Sequence, residues 1–163
     1  RSETYWTIHG IKMTTLRQIK IKAEPDVWCA SSVGAGIAGE LGMDKIDCVR
    51  IETVISEMAR NVLLDGGGGM VAIKALTKGG RRGLQIQAQD SGPGISNISQ
   101  ALKDGFTTQR SLGIGLGVTM RMMDDVSIRS HPGWGTIVTV VKWKHNGHLG
   151  TVDGKDHVRT AKQ

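Results

Sequence analysis

The chain of 163 residues is poor in cysteine and in aromatic side chains. Its two cysteines, Cys29 and Cys48, are too few for a disulfide framework or a cysteine-based zinc site, which is typical of a reducing cytosol. Aromatic residues make up 4% of the chain, which disfavours a fold that stacks nucleic-acid bases on aromatic platforms. We therefore expect neither a disulfide scaffold nor recognition of nucleic acid by base stacking.

A long hydrophobic run is also missing. The longest uncharged stretch, Val27 to Gly39, is too short and too rich in glycine to span a bilayer. No basic segment followed by an apolar one opens the sequence, so no secretory signal is predicted. We expect a cytoplasmic protein with no membrane partner.

Positive charge exceeds negative charge only modestly. The 21 basic and 15 acidic residues give a net charge of +6, and much of the basic excess lies near the two ends, where solvated tails explain it. We therefore expect no nucleic-acid partner. The length and the 39% of hydrophobic residues are typical of one globular domain with a tail, which excludes a multidomain enzyme, and the 23 glycines indicate glycine-rich loops.

The hydrophobic pattern predicts a strand and two helices in the first part of the chain. The strand begins at Leu16 and includes Ile19 and Ile21, and the helix after it ends at Gly42. Asp44 is placed to cap a second helix. That helix has the most regular apolar stripe of the chain, formed by Ile51, Val54, Ile55, Met58 and Val62.

In the second part of the chain, the hydrophobic pattern predicts four strands and a further helix. The strands are expected over 70–76, 83–89, 126–130 and 136–143, and the helix over 117–124. The first two strands are expected to form a hairpin. Residues 1–12 and 145–163 show no period, and the first of these segments is set aside as an extension or an expression-derived addition. The sum is an α+β two-layer sandwich, with helices on one face of a mostly antiparallel sheet.

Glu57 and Asn61 lie four positions apart in the second predicted helix, so they share one face beside the apolar stripe. An amide oxygen is a hard ligand suited to Mg²⁺, and a carboxylate can accept a proton from an attacking hydroxyl. The pair therefore suits a magnesium nucleotide. Taken alone, the same spacing more often belongs to a solvated helical pair.

The segment from Asp90 to Ile95 directly follows the strictly alternating strand. The Asp90 carboxylate can accept a hydrogen bond from an exocyclic amine, and Gly92 and Gly94 allow a ligand to approach the backbone closely. An ordinary tight turn explains the same residues equally well.

The segment Gly113-Ile114-Gly115-Leu116-Gly117 immediately precedes a predicted helix. Free backbone N–H groups at such a position form an anion site. No Gly-Lys-Ser/Thr follows, which excludes a P-loop, and no strand precedes, which excludes a dinucleotide-binding fingerprint. A flexible lid over phosphates is the interpretation that fits better.

Four motifs thus occur in one order: Glu-x-x-x-Asn on a helix, Asp-x-Gly-x-Gly after a strand, Gly-x-Gly-x-Gly before a helix, and Gly-Thr entering a strand. This order, from Glu57 to Thr136, resembles the GHKL or Bergerat ATP-binding fold of gyrase, histidine kinases and anti-sigma-factor kinases. The resemblance covers about Leu16 to Trp143, and it implies an ATP-binding kinase domain over 13–144 with a polar tail over 145–163.

Three stretches are similar to the RsbT-type serine/threonine kinases of the bacterial stressosome: 55–61, 104–108 and 141–143. The resemblance implies a role for each matching residue. Asn61 is expected to bind Mg²⁺, Glu57 to act as the base, Asp90 to accept the adenine amine, and Thr136 to assist through a water molecule. The other expected nucleotide-binding residues lie in the two glycine-rich segments or between them: Gly92, Gly94, Ile95, Lys103, Arg110, Gly113, Ile114, Gly115, Leu116 and Gly117.

The resemblance further implies a serine/threonine kinase that uses ATP and Mg²⁺. It is expected to transfer the γ-phosphate to a STAS-domain scaffold or antagonist protein and then to switch partner and activate a PP2C-type phosphatase. Two alternatives stay open: an anti-sigma factor that sequesters a sigma subunit and phosphorylates an antagonist, and a non-catalytic nucleotide-sensing adaptor.

Overall fold

The computed structural model describes residues 6–8, 10–101, 117 and 121–145. The elements, in chain order, are β1 (Trp6–Ile8), β2 (Ile11–Ile21), α1 (Glu24–Glu40), α2 (Lys45–Leu64), β3 (Gly69–Lys78), β4 (Arg81–Asp90), α3 (Ile98–Ala101), β5 (Asp125–His131) and β6 (Gly135–Trp143).

The strands in the described ranges form one antiparallel sheet of six, in the order β1-β2-β3-β4-β6-β5. The helices α1 and α2 pack against each other and against β2, β3 and β4. The predicted two-layer sandwich is therefore confirmed. The predicted hairpin is confirmed as β3 and β4, joined by Gly79 and Gly80, which both have the positive φ that a two-residue hairpin turn requires.

The sheet includes part of the segment 1–12 that the sequence analysis sets aside as an extension. In the structure, β1 pairs with the start of β2 from Trp6↔Met13 to Ile8↔Ile11, so the sheet begins ten residues before Leu16. Backbone hydrogen bonds hold such an edge strand, and they need no side-chain period.

The core lies between the helices and the sheet. The predicted stripe of α2 is confirmed, since each of its members is at most 2% exposed: Ile51, Val54, Ile55, Met58 and Val62. Asp44 caps α2 as predicted, because its Oδ1 accepts the Asp47 N–H at 2.7 Å. Neither α1 nor α2, nor the short α3 in the described part of the chain, is long and apolar enough to cross a membrane.

A buried lysine ties the start of α2 to the end of β6. Lys142 is 5% exposed, and its Nζ lies 3.5 Å from Asp47 Oδ1 and 3.3 Å from Asp124 Oδ1. Asp124 also accepts the backbone N–H of Trp143 through Oδ2 at 2.6 Å. Two carboxylates thus compensate the burial of one ammonium group.

The opposite end of the sheet brings four strand ends together. The register places Ile21 of β2 beside Gly69 of β3, Gly69 beside Asp90 of β4, and Asp90 beside Thr136 of β6. The C-terminal end of α2 leads into Gly69 through four residues. Residues that are far apart in sequence therefore meet at this end.

Gly34 allows α1 to lie close to α2 and the sheet. A Cβ at this position would overlap Cδ1 of Ile55 and would lie 3.5 Å from Cδ1 of Ile73. Gly36, on the exposed side of the same helix, has no neighbouring atom within 4 Å of such a Cβ.

We expect Gly34→Val to lower the free energy of unfolding by about 1–3 kcal/mol, because the added methyl groups overpack the core. Gly36→Val introduces the same side chain into the same helix and should leave stability near that of the wild type. Urea unfolding of both variants measures the difference. Equal midpoints for the two variants would contradict this helix packing.

Candidate active site

The helix α2 carries the first two residues of the site. Glu57 is 5% exposed, and its Oε1 accepts a hydrogen bond from Nη1 of Arg60 at 3.3 Å. Nη2 of Arg60 donates to Oε1 of Glu24, in the first turn of α1, at 3.1 Å. Asn61 is half-buried and lies one turn beyond Glu57 on the same helix.

The surroundings of Glu57 favour its neutral form. Burial raises the pKa of the Glu57 carboxyl, and the positive charge of Arg60 opposes this rise in part. A carboxylate with a raised pKa takes up a proton more readily than a solvated one. Glu57 is therefore suited to act as a general base.

Asp90 lies at the end of β4 and is half-buried. Its Oδ1 accepts the Gly92 N–H at 2.9 Å, and Oδ2 takes no part in this hydrogen bond. The end of α2 reaches this aspartate, since a Cβ on Gly66 would overlap Cβ of Asp90 and would lie 2.6 Å from its Cγ. The absence of a side chain on Gly66 thus brings Asp90 next to the helix that carries Glu57 and Asn61.

A serine on β5 fastens the loop after Asp90 to the start of β6. Ser130 Oγ accepts the Ile95 N–H at 2.7 Å and lies 3.0 Å from the Gly135 carbonyl oxygen. It also lies 2.9 Å from Thr136 Oγ1. Thr136 pairs in register with Asp90 on one side and with Ser130 on the other. The structure therefore places Thr136 beside Asp90.

Internal packing explains two of the predicted residues in a way that the sequence did not indicate. Gly94 has a φ of 77°, and the His131 carbonyl oxygen occupies the place of its Cβ. The N–H of Ile95 is taken by Ser130. Gly94 and Ile95 thus hold the loop after β4 against β5 and the turn that follows it.

Only one of the remaining predicted residues lies in the part of the chain that the structure describes. Gly117 is helical and buried. The others lie outside the described residues: Lys103, Arg110, Gly113, Ile114, Gly115 and Leu116.

Sequence reasoning missed several residues that shape this site. The run from Gly66 to Gly69 carries no site motif in the sequence, although a Cβ on Gly66 has no room beside Asp90. Ser130 gave no motif signal. Arg60 stands inside the recognised helical stretch, but its contact with Glu24 spans 36 residues and no local pattern predicts it.

The residues present fit an adenine nucleotide with Mg²⁺. Oδ2 of Asp90 takes no part in the hydrogen bond from Gly92 and can accept from an exocyclic amine. A Cβ on Gly92 would lie 2.8 Å from Gly66 Cα, so this glycine allows the loop after Asp90 to pack closely against Gly66. The Asn61 amide is the kind of oxygen ligand that Mg²⁺ accepts. A buried carboxylate, Glu57, lies on the same helix face to take a proton.

The raised pKa of Glu57 predicts a pH-dependent stability difference. A carboxyl whose pKa is higher in the folded than in the unfolded state lowers stability as the pH rises through the interval between the two values. Glu57→Gln removes this penalty. We therefore expect the variant to have a higher free energy of unfolding than the wild type at pH 8, and the gap to narrow as the pH falls below the raised pKa.

Urea unfolding at a series of pH values measures this gap. Glu52→Gln, on the exposed side of the same helix, is the matched control and should follow the wild type throughout. A Glu57→Gln variant less stable than the wild type at pH 8 would contradict the cost assigned to the buried charge.

Comparison with known proteins places this geometry in a family. Residues 46–146 match the family described as histidine kinase-, DNA gyrase B-, and HSP90-like ATPase. The chain is 42% identical over 125 residues to the serine/threonine-protein kinase RsbT of Bacillus subtilis (strain 168). The aligned region covers 77% of this chain and 94% of the relative. It is 32% identical over 120 residues to the anti-sigma F factor of Thermoanaerobacter sp. (strain X514), covering 70% of this chain and 82% of the relative.

A solved structure has the same fold. The crystal structure of the RsbU and RsbW domains of a Mycobacterium tuberculosis protein matches with a TM-score of 0.52 at 16% sequence identity. The match covers 92% of this chain and 35% of that longer one. Because the family match covers residues 46–146, more than half of the sequence, the chain belongs to the histidine kinase-, DNA gyrase B- and HSP90-like ATPase family.

Proposed function

We propose that the chain is a serine/threonine protein kinase that transfers the γ-phosphate of Mg-ATP to a STAS-domain scaffold or antagonist protein. The observation that carries this proposal is the buried Glu57 carboxyl with its raised pKa, one helical turn from Asn61. The similarity to RsbT over 94% of that kinase supports the same activity.

The adenine end of the nucleotide is assigned to the loop after β4. Asp90 accepts the exocyclic amine through Oδ2, the loop that Gly92 and Gly94 shape borders the ring, and Thr136 assists through a water molecule. The hydrogen bond from the Gly92 N–H holds the Asp90 carboxylate in one orientation. A carboxylate fixed in this way loses little conformational entropy when it binds.

The phosphate end is assigned to α2 and to the glycine-rich segment. Asn61 would hold Mg²⁺, which would neutralise charge on the phosphate oxygens. The lid glycines Gly113, Gly115 and Gly117 hold the phosphates, with Lys103 and Arg110 as charge partners. Because phosphoryl transfer needs mainly positioning and charge neutralisation, this small polar set is sufficient.

Glu57 is assigned the role of base. It takes the proton from the serine or threonine hydroxyl as the hydroxyl oxygen bonds to the γ-phosphorus and ADP leaves. Its burial keeps water away from the carboxylate and raises its proton affinity.

The proposed partners follow from the RsbT-type resemblance. After transfer, the kinase leaves the phosphorylated STAS-domain scaffold of a stressosome and activates a PP2C-type phosphatase in the cytoplasm. The protein is then a switch as well as an enzyme.

We expect Asp90→Asn to weaken ATP and ADP binding at least tenfold, about 1.4 kcal/mol. In asparagine an NH2 group replaces one of the two carboxylate oxygens, so no second acceptor oxygen is left for the adenine amine. Calorimetric titration with and without Mg²⁺ measures the affinity. Asp125→Asn makes the same change at the other end of the sheet and should bind like the wild type. If Asp90→Asn binds ATP with unchanged affinity, the assignment of Asp90 to the adenine amine is wrong. If the wild type binds neither ATP nor ADP at millimolar concentration, the proposed kinase function is wrong.

We expect Glu57→Gln to slow phosphate transfer by about 10²–10⁴-fold while it still binds ATP, because the proton acceptor is lost and the nucleotide contacts remain. Transfer from radiolabelled ATP to STAS-domain proteins of the same genome is the assay. Glu52→Gln is the control. A Glu57→Gln variant that transfers at the wild-type rate would disprove the proposed mechanism.

The similarity to anti-sigma F factors favours a second candidate function, an anti-sigma factor kinase that sequesters a sigma factor. Pull-down of sigma factors in the presence of ATP or ADP separates the two, since the stressosome kinase should retain none. Nucleotide binding without transfer to any STAS-domain protein would instead favour an adaptor in which the nucleotide only biases the choice of partner.

A further inference from the structure

Arg60 is shared between two carboxylates on different helices. Its Nη1 lies 3.3 Å from Glu57 Oε1, and its Nη2 lies 3.1 Å from Glu24 Oε1. The side chains are graded from solvent to core, with 51% exposure for Glu24, 16% for Arg60 and 6% for Glu57. The guanidinium thus links an exposed carboxylate on α1 to the buried one on α2.

The division of the guanidinium has a chemical consequence for Glu57. An arginine beside a single carboxylate commonly binds both of its oxygens with two parallel hydrogen bonds. Here Glu24 takes Nη2, and the hydrogen bond to Glu57 goes to Oε1. Oε2 of Glu57 is therefore not occupied by Arg60, and a general base needs such an oxygen within reach of the acceptor hydroxyl.

We propose that Glu24 is a positioning residue: by holding Nη2, it keeps Arg60 from binding both oxygens of Glu57 and so leaves Oε2 for the acceptor hydroxyl. The inference rests on the proposed function, in which Glu57 is the base. Glu24 itself touches neither nucleotide nor acceptor in this assignment.

Other charged groups of the neighbouring elements are engaged elsewhere. Asp26 on α1 accepts two backbone N–H groups at the start of its own helix. Lys142 of β6 pairs with Asp47, which lies ten residues before Glu57 on α2, a distance of about 15 Å along the helix. Within the described ranges, Arg60 is the cation that contacts the Glu57 carboxylate.

Glu24→Gln tests the proposal at a half-exposed position where folding is not at risk. With Mg-ATP and a STAS-domain protein that the wild type phosphorylates, we expect kcat to fall about tenfold, part of the range that a general base supplies. The Kd for ATP should not change. In an Arg60→Gln background, the same substitution should alter kcat by less than about twofold, because Glu24 acts through Arg60. Glu40→Gln, at the other end of α1, removes the same charge and should leave kcat unchanged.

A crystal structure of Glu24→Gln gives a readout that needs no turnover. We expect Arg60 to bind both oxygens of Glu57. The proposal is overturned if Arg60 keeps its single contact with Oε1, if Glu24→Gln has the wild-type kcat, or if it slows the Arg60→Gln variant as much as it slows the wild type. A wild type that phosphorylates no STAS-domain protein would instead defeat the proposed function, and the crystal structure would still decide where Arg60 goes.

Discussion

The burial of one carboxylate, Glu57, is the constraint that explains the ion pairs that Arg60 forms within α2 and with α1. An ionised group taken out of water needs a partner, and Arg60 supplies it from the same helix. Arg60 is itself largely buried and engages Glu24, which joins the first turn of α1 to the middle of α2. This chain of charges therefore adds a polar contact between the two helices to their close apolar packing.

Local signals were enough to predict the framework. The stripe from Ile51 to Val62 repeats with the helical period, Asp44 has the chemistry of a helix cap, and the alternating β4 shows which face is buried. Each of these features is written in residues that lie within one element. The motif order then indicates Glu57, Asn61, Asp90 and Thr136 as candidate site residues, and the structure brings the last two into register.

The rest of the site depends on contacts between distant residues. The edge strand β1 is held by its neighbour, so its own residues carry no period. The pairing of Glu24 with Arg60 exists because α1 and α2 form a hairpin, and the fit of Gly66 against Asp90 exists because the helix end meets the strand end. Sequence patterns describe neighbours in the chain, and these are neighbours in space.

The candidate site lies where four strands end, so a ligand bound there would hold these strand ends together. The residues at these ends are Ile21, Gly69, Asp90 and Thr136. Strand ends fray first, and the amide protons there exchange soonest with solvent. A ligand bound across β4 and β6 binds the folded chain and not the unfolded one, so the stability of this end rises with the logarithm of the ligand concentration once that concentration exceeds the Kd. The cellular lifetime of the protein against proteases would then follow the level of the nucleotide that it binds.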